Sequence, residues 1–311
     1  MIGTMFARLK NGFAIMVQAF SLMHEHKAFY WFAGLLMFSY AAIMGALASC
    51  AVYLLRGTTW THTTQTVHGT VYHGTIEPTV MLNFISSFLM ILLAHALWKN
   101  LLEIAISTYA AAAMHQNYSQ LHMSKALWSA LKASWYVLCW VLFDTTIGLA
   151  IGAISGKREN DRFSILDAIR HMVGSLLSMA WSVCTFLVPQ VIAFERRGAF
   201  SSIRTSFALI KKTFGETLSA NFMFSFFYSA IGIVVILLVA LFAPLITQVT
   251  QASSSLPLFP VLIISLILCL AAFASAALTV ARIIFKTSVY FYAKDNECLG
   301  FDASLITQSF R

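Results

Sequence analysis

The chain predicts an all-α, polytopic membrane fold: about six transmembrane helices in three repeated units, each an amphipathic helix plus a transmembrane hairpin. Three observations carry that prediction. The composition is 59% hydrophobic and only 10% charged, whereas soluble domains average about a quarter charged. Apolar runs of bilayer-crossing length, about 20 residues, recur along the chain. One pattern also appears three times: a basic residue, an aromatic at +3, an aliphatic or Met at +6, and a second aromatic at +10 preceded by Ala or Ser. The copies are Lys10, Phe13, Met16, Ala19, Phe20; Lys125, Trp128, Leu131, Ser134, Trp135; and Arg197, Phe200, Ile203, Ser206, Phe207. Each continues to an apolar residue three further on, Met23, Leu138 and Ile210. Spacings of three and four put these positions on one helical stripe. The units read as about 4–120, 121–195 and 196–295, with a short tail at 296–311, all in a single membrane domain, 1–311.

Each span follows from its apolar run. The first is roughly Phe29 to Leu54, and the second begins near Val80. The third is roughly Trp135 to Ile154 and the fourth roughly Met172 to Phe194. The fifth is roughly Leu218 to Ile246 and the sixth roughly Phe259 to Phe285. Several exceed one crossing, so tilt or continuation as helix beyond the membrane absorbs the excess. In the second run, Trp98, Lys99 and Asn100 look like an interfacial belt, beyond which the helix continues through Tyr109. The alternative is a Lys99–Glu103 ion pair inside the bilayer, which is costly. Pro189 should kink the fourth span and free a carbonyl near Thr185. Ala110 to Ala113, and Ala271 to Ala277 with its small residues, suit close helix approach, as does the small-xxx-small spacing of Gly148, Gly152 and Gly156.

Orientation follows from Lys and Arg. The N-terminal segment, the segment between spans two and three, the segment between spans four and five, and the tail hold most of the cations. With six spans these four share one side, which places both termini in the cytoplasm of an inner (plasma) membrane. The loop 155–171, with Lys157, Arg158, Arg162 and Arg170, violates the rule. It is either an exception or a sign that spans three and four form a re-entrant pair. The net charge of +8 then reflects topology rather than nucleic acid, for which no soluble domain is present. Residues 1 to 27 are amphipathic, unlike a cleaved secretory signal.

The repeated stripes fall on the cytoplasmic side. Their aromatics suit the headgroup boundary, and Lys10, Lys125, Lys132, Arg197, Arg204 and Lys211 flank it where anionic lipid lies. The same aromatics also suit burial against the protein's own core, and the two readings are compatible. The partners expected are membrane lipids, with another membrane protein or self-association beside them, and no nucleic acid.

Little in the chain suggests chemistry. HExxH, GxSxG and P-loop motifs are absent from the sequence, so the chain reads as a non-enzyme without a cofactor or catalytic residue. Asp144, near the middle of span three, is expensive at that depth unless protonated, paired or facing water. It is either part of a polar pathway with His95 of span two, in a transporter or channel, or a structural group bonded to a neighbouring hydroxyl. His62, His68 and His73 lie in a Thr-rich outward loop whose alternation suggests a short hairpin. Three histidines can bind a divalent metal, but the spacing matches no established site, and a solvated loop is the simpler reading. Cys50, Cys139, Cys184 and Cys269 lie in apolar spans, and with Cys298 they form no CxxC or other metal spacing.

Several motifs carry a resemblance. Ala180-Trp181-Ser182, Thr185-Phe186, Val188-Pro189 and Phe194-Glu195 are followed by Ser206-Phe207 and by Lys211-Lys212-Thr213-Phe214-Gly215-Glu216. Together they resemble a prokaryotic family of multi-pass membrane proteins classed as a domain of unknown function. That family shows an Ala-Trp, a Thr-Phe-Phe and a Val-Pro in one span, a Glu-Gly turn, then a Lys-Lys-Thr-Trp-Gly-Glu helix. Here Phe214 replaces the Trp, and Arg196-Arg197-Gly198 lengthens the turn. Arg8-Leu9-Lys10-Asn11-Gly12-Phe13 and Gly300-Phe301-Asp302 fit the family's ends. The resemblance implies a six-span, non-catalytic membrane protein and brings no substrate.

Overall fold

The computed structural model describes residues 2–56, 58–66, 69–116, 122–155, 165–252 and 258–296. The chain is a multi-pass, predominantly helical membrane protein, with one two-stranded ribbon among the described residues. The order is α1 (Ile2–Glu25), α2 (Ala28–Arg56), β1 (Thr58–Thr66), β2 (Gly69–Ile76), α3 (Pro78–Met114), α4 (Met123–Lys132), α5 (Ser134–Ser155), α6 (Ile165–Cys184), α7 (Val188–Glu195), α8 (Ala199–Ala252) and α9 (Leu258–Asp295). Among the described residues five segments are long and apolar enough to cross a membrane: Ala28–Leu54, Pro78–Met114, Ser134–Ser155, Ile169–Glu195 and Ser265–Asp295. The fifth expected span lies inside α8, where Met223–Leu238 is a shorter apolar stretch. Spans three and four are each long enough to cross alone, so a re-entrant pair is not needed to accommodate them. Arg170, expected in their loop, sits inside α6.

The chain forms two compact units. One comprises Met1–Met37 and Asn100–Arg311, the other Phe38–Lys99. The smaller unit contains most of α2, the first part of α3 and the expected hairpin. β1 and β2 pair antiparallel from Thr58↔Ile76 to Thr66↔Gly69, with a bulge between His62 and Thr64. In this unit His95 and Tyr40 place their rings 5.8 Å apart.

In the larger unit the core gathers at one end of the helices. It draws on Ile15 to Met23 of α1, Phe29 to Leu36 of α2 and Leu102 to Met114 of α3. It also draws on α7, on the start of α5 at Val137 to Val141, and on Ala276 to Ala293 of α9. An up-and-down chain brings the starts of alternate spans beside the ends of the others, so this convergence follows from connectivity. Away from that end the helices display apolar side chains outward. Leu149 and Ile154 on α5, Met172 and Leu176 on α6, Ile236 and Leu237 on α8, and Leu266 and Leu270 on α9 are all exposed. Water does not tolerate that much contiguous apolar surface, and a bilayer does.

Helix length explains the two zones. At about 1.5 Å per residue, α8 with 54 residues runs roughly 80 Å, against about 30 Å of hydrocarbon. Some of it must project beyond the membrane. α3 runs unbroken past Trp98, and its burial begins at Leu102. Ala110, Ala111, Ala113, Ala276 and Ala277 are buried, as small residues at close contacts should be. Gly148 and Gly152 differ from that expectation. A Cβ placed on either meets nothing within 4 Å, so neither marks a close contact. The tight approach of α5 and α6 is at Gly174, where a Cβ would run into the Ser155 side chain.

Candidate functional site

The polar centre of the larger unit is built on a helix break. Proline has no N–H to complete the helical ladder, and Pro189 sits at the start of α7, just after the break between α6 and α7. The Thr185 carbonyl, expected to be freed, instead accepts from the Val188 N–H at 3.1 Å in a tighter turn. The Leu187 N–H is satisfied from outside the segment by Ser206 Oγ of α8 at 3.1 Å. Ser206 is fully buried. The break turns Phe186 and Gln190 toward α3 and α9.

There Glu103 of α3 and Lys286 of α9 form an ion pair of 2.8 Å, with 11% and 14% of their side chains accessible. Lys286 also stands 5.0 Å over the Phe186 ring, a cation–π contact. Gln190 Nε2 donates weakly to Glu103 Oε1 at 3.4 Å and to Ser107 Oγ at 3.3 Å. Ser107 donates to the Glu103 carbonyl at 2.8 Å. Gln190 Oε1 is buried and makes no hydrogen bond. Three helices therefore meet through charge rather than apolar contact alone.

A second cluster closes the end of α7. Tyr290, fully buried, donates to Glu195 Oε1 at 2.8 Å, and Lys294 lies 3.1 Å from the same oxygen. Arg197 Nε reaches Glu195 Oε2 at 2.8 Å. Phe194 stacks on Tyr290 with centroids 5.1 Å apart. Arg196 caps α7 in the left-handed conformation, φ 49°.

The residues singled out from sequence fall in different places. Asp144 Oδ1 accepts from Trp181 Nε1 at 2.8 Å, so its partner is an indole, not the hydroxyl expected of a structural Asp144. Trp140 stacks on that indole at 6.3 Å. His95, the suggested pathway partner, belongs to the smaller unit and borders a cleft with Phe38, Ser39 and Trp98. Glu103 pairs with Lys286 across the fold rather than with Lys99, the sequence neighbour considered for it. Lys286 lies just past Phe285, where the sixth span was expected to end, yet α9 continues to Asp295 and carries it into the core. Its signal in the sequence was a cation at the end of an apolar run, four residues after Arg282, which reads as functional or paired by default.

His62 and His73 stand on the ribbon opposite Tyr72 and Thr61, in alternate positions, and their side chains, with all of His68, lie outside the described residues. Among the described residues no three potential metal ligands cluster.

The basic and aromatic pattern resolves in three different ways. The first copy lies entirely on α1; its Met16, Ala19 and Met23 are buried and Phe13 is exposed, while the Lys10 side chain lies outside the described residues. The second copy is divided by the end of α4 at Lys132, so Trp135 belongs to α5. On α4 the buried face is Ala126 and Ala130, while Lys125, Trp128 and Lys132 face outward. Lys132 lies 5.7 Å over the Trp128 ring. In the third copy Arg197 precedes α8 and is engaged by Glu195, so it does not head the stripe as expected. Ser206 and Ile210 face the core, whereas Phe200 and Phe207 are exposed. Phe20 is partly buried, and Arg204 and Lys211 are exposed. The expected single stripe is thus an edge with its aromatics mostly outward; its +6, +9 and +13 positions tend inward in the first and third copies, whereas Leu131 and Ser134 of the second are exposed.

No curated protein and no solved structure matches the chain. A family profile does match, over residues 123–301, from the start of α4 through Gly300-Phe301. The N-terminal Arg8-to-Phe13 motif lies outside that match, and the Ala180-Trp181, Val188-Pro189 and Lys211-Lys212 motifs lie within it. The profile covers more than half of the sequence, and the chain therefore belongs to this family of unknown function, DUF6159.

Proposed function

We propose that this chain is a non-catalytic protein of a prokaryotic inner membrane, with both termini cytoplasmic, that binds anionic lipid headgroups through α4 and the start of α8. One observation carries the reading. The large aromatics there and at the adjoining start of α5 face away from the protein: Trp128 is 60% exposed, Trp135 68%, Phe200 78% and Phe207 51%. Exposed Lys125, Lys132, Arg204 and Lys211 stand among them. Aromatics at a headgroup boundary bury their rings in the acyl edge while neighbouring cations meet anionic lipid, and each cation there adds about 1 kcal/mol. The repeated pattern in the sequence supports the same role for α1.

The test is native mass spectrometry of the gently extracted protein, comparing wild type with a variant in which Lys125, Lys132, Arg204 and Lys211 are changed to Glu. Wild type should retain phosphatidylglycerol and the variant should not. Equal retention sinks the reading, and a protein companion lost with the variant points instead to a membrane-protein partner.

A second reading, a transporter or channel whose pathway passes Asp144 and His95, draws support from a polar cleft bordered by Gly148, one turn beyond Asp144. Unchanged flux in vesicles carrying Asp144→Asn would count decisively against it.

A further inference from the structure

A cleft of about 650 Å³ opens between α5, α6 and α8 in the larger unit. Its wall is polar for a place between two helices of spanning length. Ser155, Ser175, Ser178, Ser182 and Asn221 line it, and Gly148 and Gly152 leave its floor open. Ser155 and Ser175 donate back to their own helices, to the Ile151 and His171 carbonyls. The hydroxyls of Ser178 and Ser182 make no hydrogen bond to any described residue. Polar side chains facing outward from spanning helices are expensive unless something polar meets them.

Behind Asn221 stands Arg282 of α9, whose Nη2 donates to Asn221 Oδ1. A guanidinium has only donors, so the atom it meets must be the amide oxygen. That assignment leaves the Asn221 –NH₂ as a donor into the cleft, polarised by the cation behind it. Arg282 Nε is buried and makes no hydrogen bond, and among the described residues the arginine faces no carboxylate. An arginine within a spanning helix normally has a counter-charge. Asn221 relays its field without neutralising it. Asp144, one turn before Gly148, is engaged by Trp181, and no acid among the described residues lines the cleft.

We infer that the cleft between α5, α6 and α8 is a binding site for a phosphate group, with Asn221 and the Ser178 and Ser182 hydroxyls as its hydrogen-bonding wall and Arg282 as its counter-charge. Tetrahedral phosphate presents several acceptor oxygens at once, which suits an amide donor and two rotatable hydroxyls backed by a guanidinium. The cleft is much larger than an inorganic phosphate ion, and its open side lies between spanning helices. A phospholipid headgroup, entering from the leaflet with its glycerol attached, fits that shape. This site is separate from the exposed cations of α4 and α8, so either proposal can fail without the other.

The test uses the full chain in a neutral detergent, titrated with phosphatidic acid in mixed micelles and with phosphatidylcholine as a control. Arg282→Gln, and separately Ser178→Leu with Ser182→Leu, should each weaken phosphatidic acid binding about tenfold or more, the loss of a charge-assisted hydrogen bond or two. The serine variant alters exposed positions and should elute and unfold as wild type does. The variant with Lys125, Lys132, Arg204 and Lys211 reversed should keep the same affinity at this site. Displacement by inorganic phosphate would identify a site for the free anion, whereas binding of phosphatidic acid undiminished by phosphate would identify the lipid as the source. Unchanged affinity in both the arginine and the folded serine variant overturns the proposal.

Discussion

Lys286 Nζ lies 2.8 Å from Glu103 Oε1, joining the end of α3 to the last turns of α9 across 183 residues of sequence. Both side chains are largely withdrawn from solvent. Removing one member leaves the other charged without its ion-pair partner, which typically costs about 3–5 kcal/mol. Replacing both with apolar residues of similar volume leaves no unpaired charge, and Gln190 Nε2 keeps Ser107 Oγ as an acceptor, so the change is often neutral. Lys286→Met or Glu103→Met alone should therefore lower the unfolding midpoint in detergent markedly, and the double variant should recover most of the loss. A double variant as unstable as either single one would show that the pair does not act as a unit.

The interruption between α6 and α7 is held by a side chain from another helix. Ser206→Ala removes the acceptor of the buried Leu187 N–H. An unsatisfied buried donor costs about 1–3 kcal/mol. Hydrogen exchange should report it locally, with faster exchange at Leu187 and little change in α9. Unaltered protection at Leu187 would mean that the break does not depend on this bond.

Two glycines on facing helices should respond oppositely. Gly174→Ala forces a methyl group against Ser155 Oγ and should destabilise the α5–α6 pair by about 1–3 kcal/mol, as overpacking does. Gly152→Ala meets nothing and removes a flexible residue from a helix, so it should be neutral or stabilising by up to about 1 kcal/mol. Thermal unfolding of the two variants side by side decides the matter; equal effects would contradict the assignment of Gly174 as the contact point.

Much of the architecture was legible in residue order. Spans one, three and four were bounded within a few residues and the start of span two within two, because a crossing needs about 20 apolar residues and that signal is local, whereas the sixth runs on to Asp295, past the expected end at Phe285. The Thr-rich alternation around His68 announced the ribbon for the same reason: a period of two is visible in a short window. The break before Pro189 was equally readable, since a missing N–H is a property of one residue. The partner that rescues Leu187 was not, because Ser206 lies beyond a turn and on a different helix.

The candidate sites were read less well. Asp144 stood out as a charge among apolar residues, but its partner Trp181 is 37 residues away, and no periodicity encodes such a pairing. Glu103 was noticed beside Lys99 because helical neighbours four apart are inferable; Lys286 was not, because its pairing is made by tertiary packing alone. The Gly148 and Gly152 spacing signified close contact in the sequence, yet the same spacing borders a cleft.

What the residue order determined by itself was the membrane class, the span positions and the aromatic and basic composition of the helices, all of which depend on local free energies of transfer and on helical period. Tertiary structure alone decided which face of each helix is inward, so that the stripe led by Phe13, Trp128 and Phe200 became an edge with aromatics outside. It alone paired Glu103 with Lys286 and set Arg282 behind Asn221. Charged groups inside a packed bundle take the partner that geometry brings within hydrogen-bonding distance, and that distance is a property of the assembled helices rather than of any segment of chain.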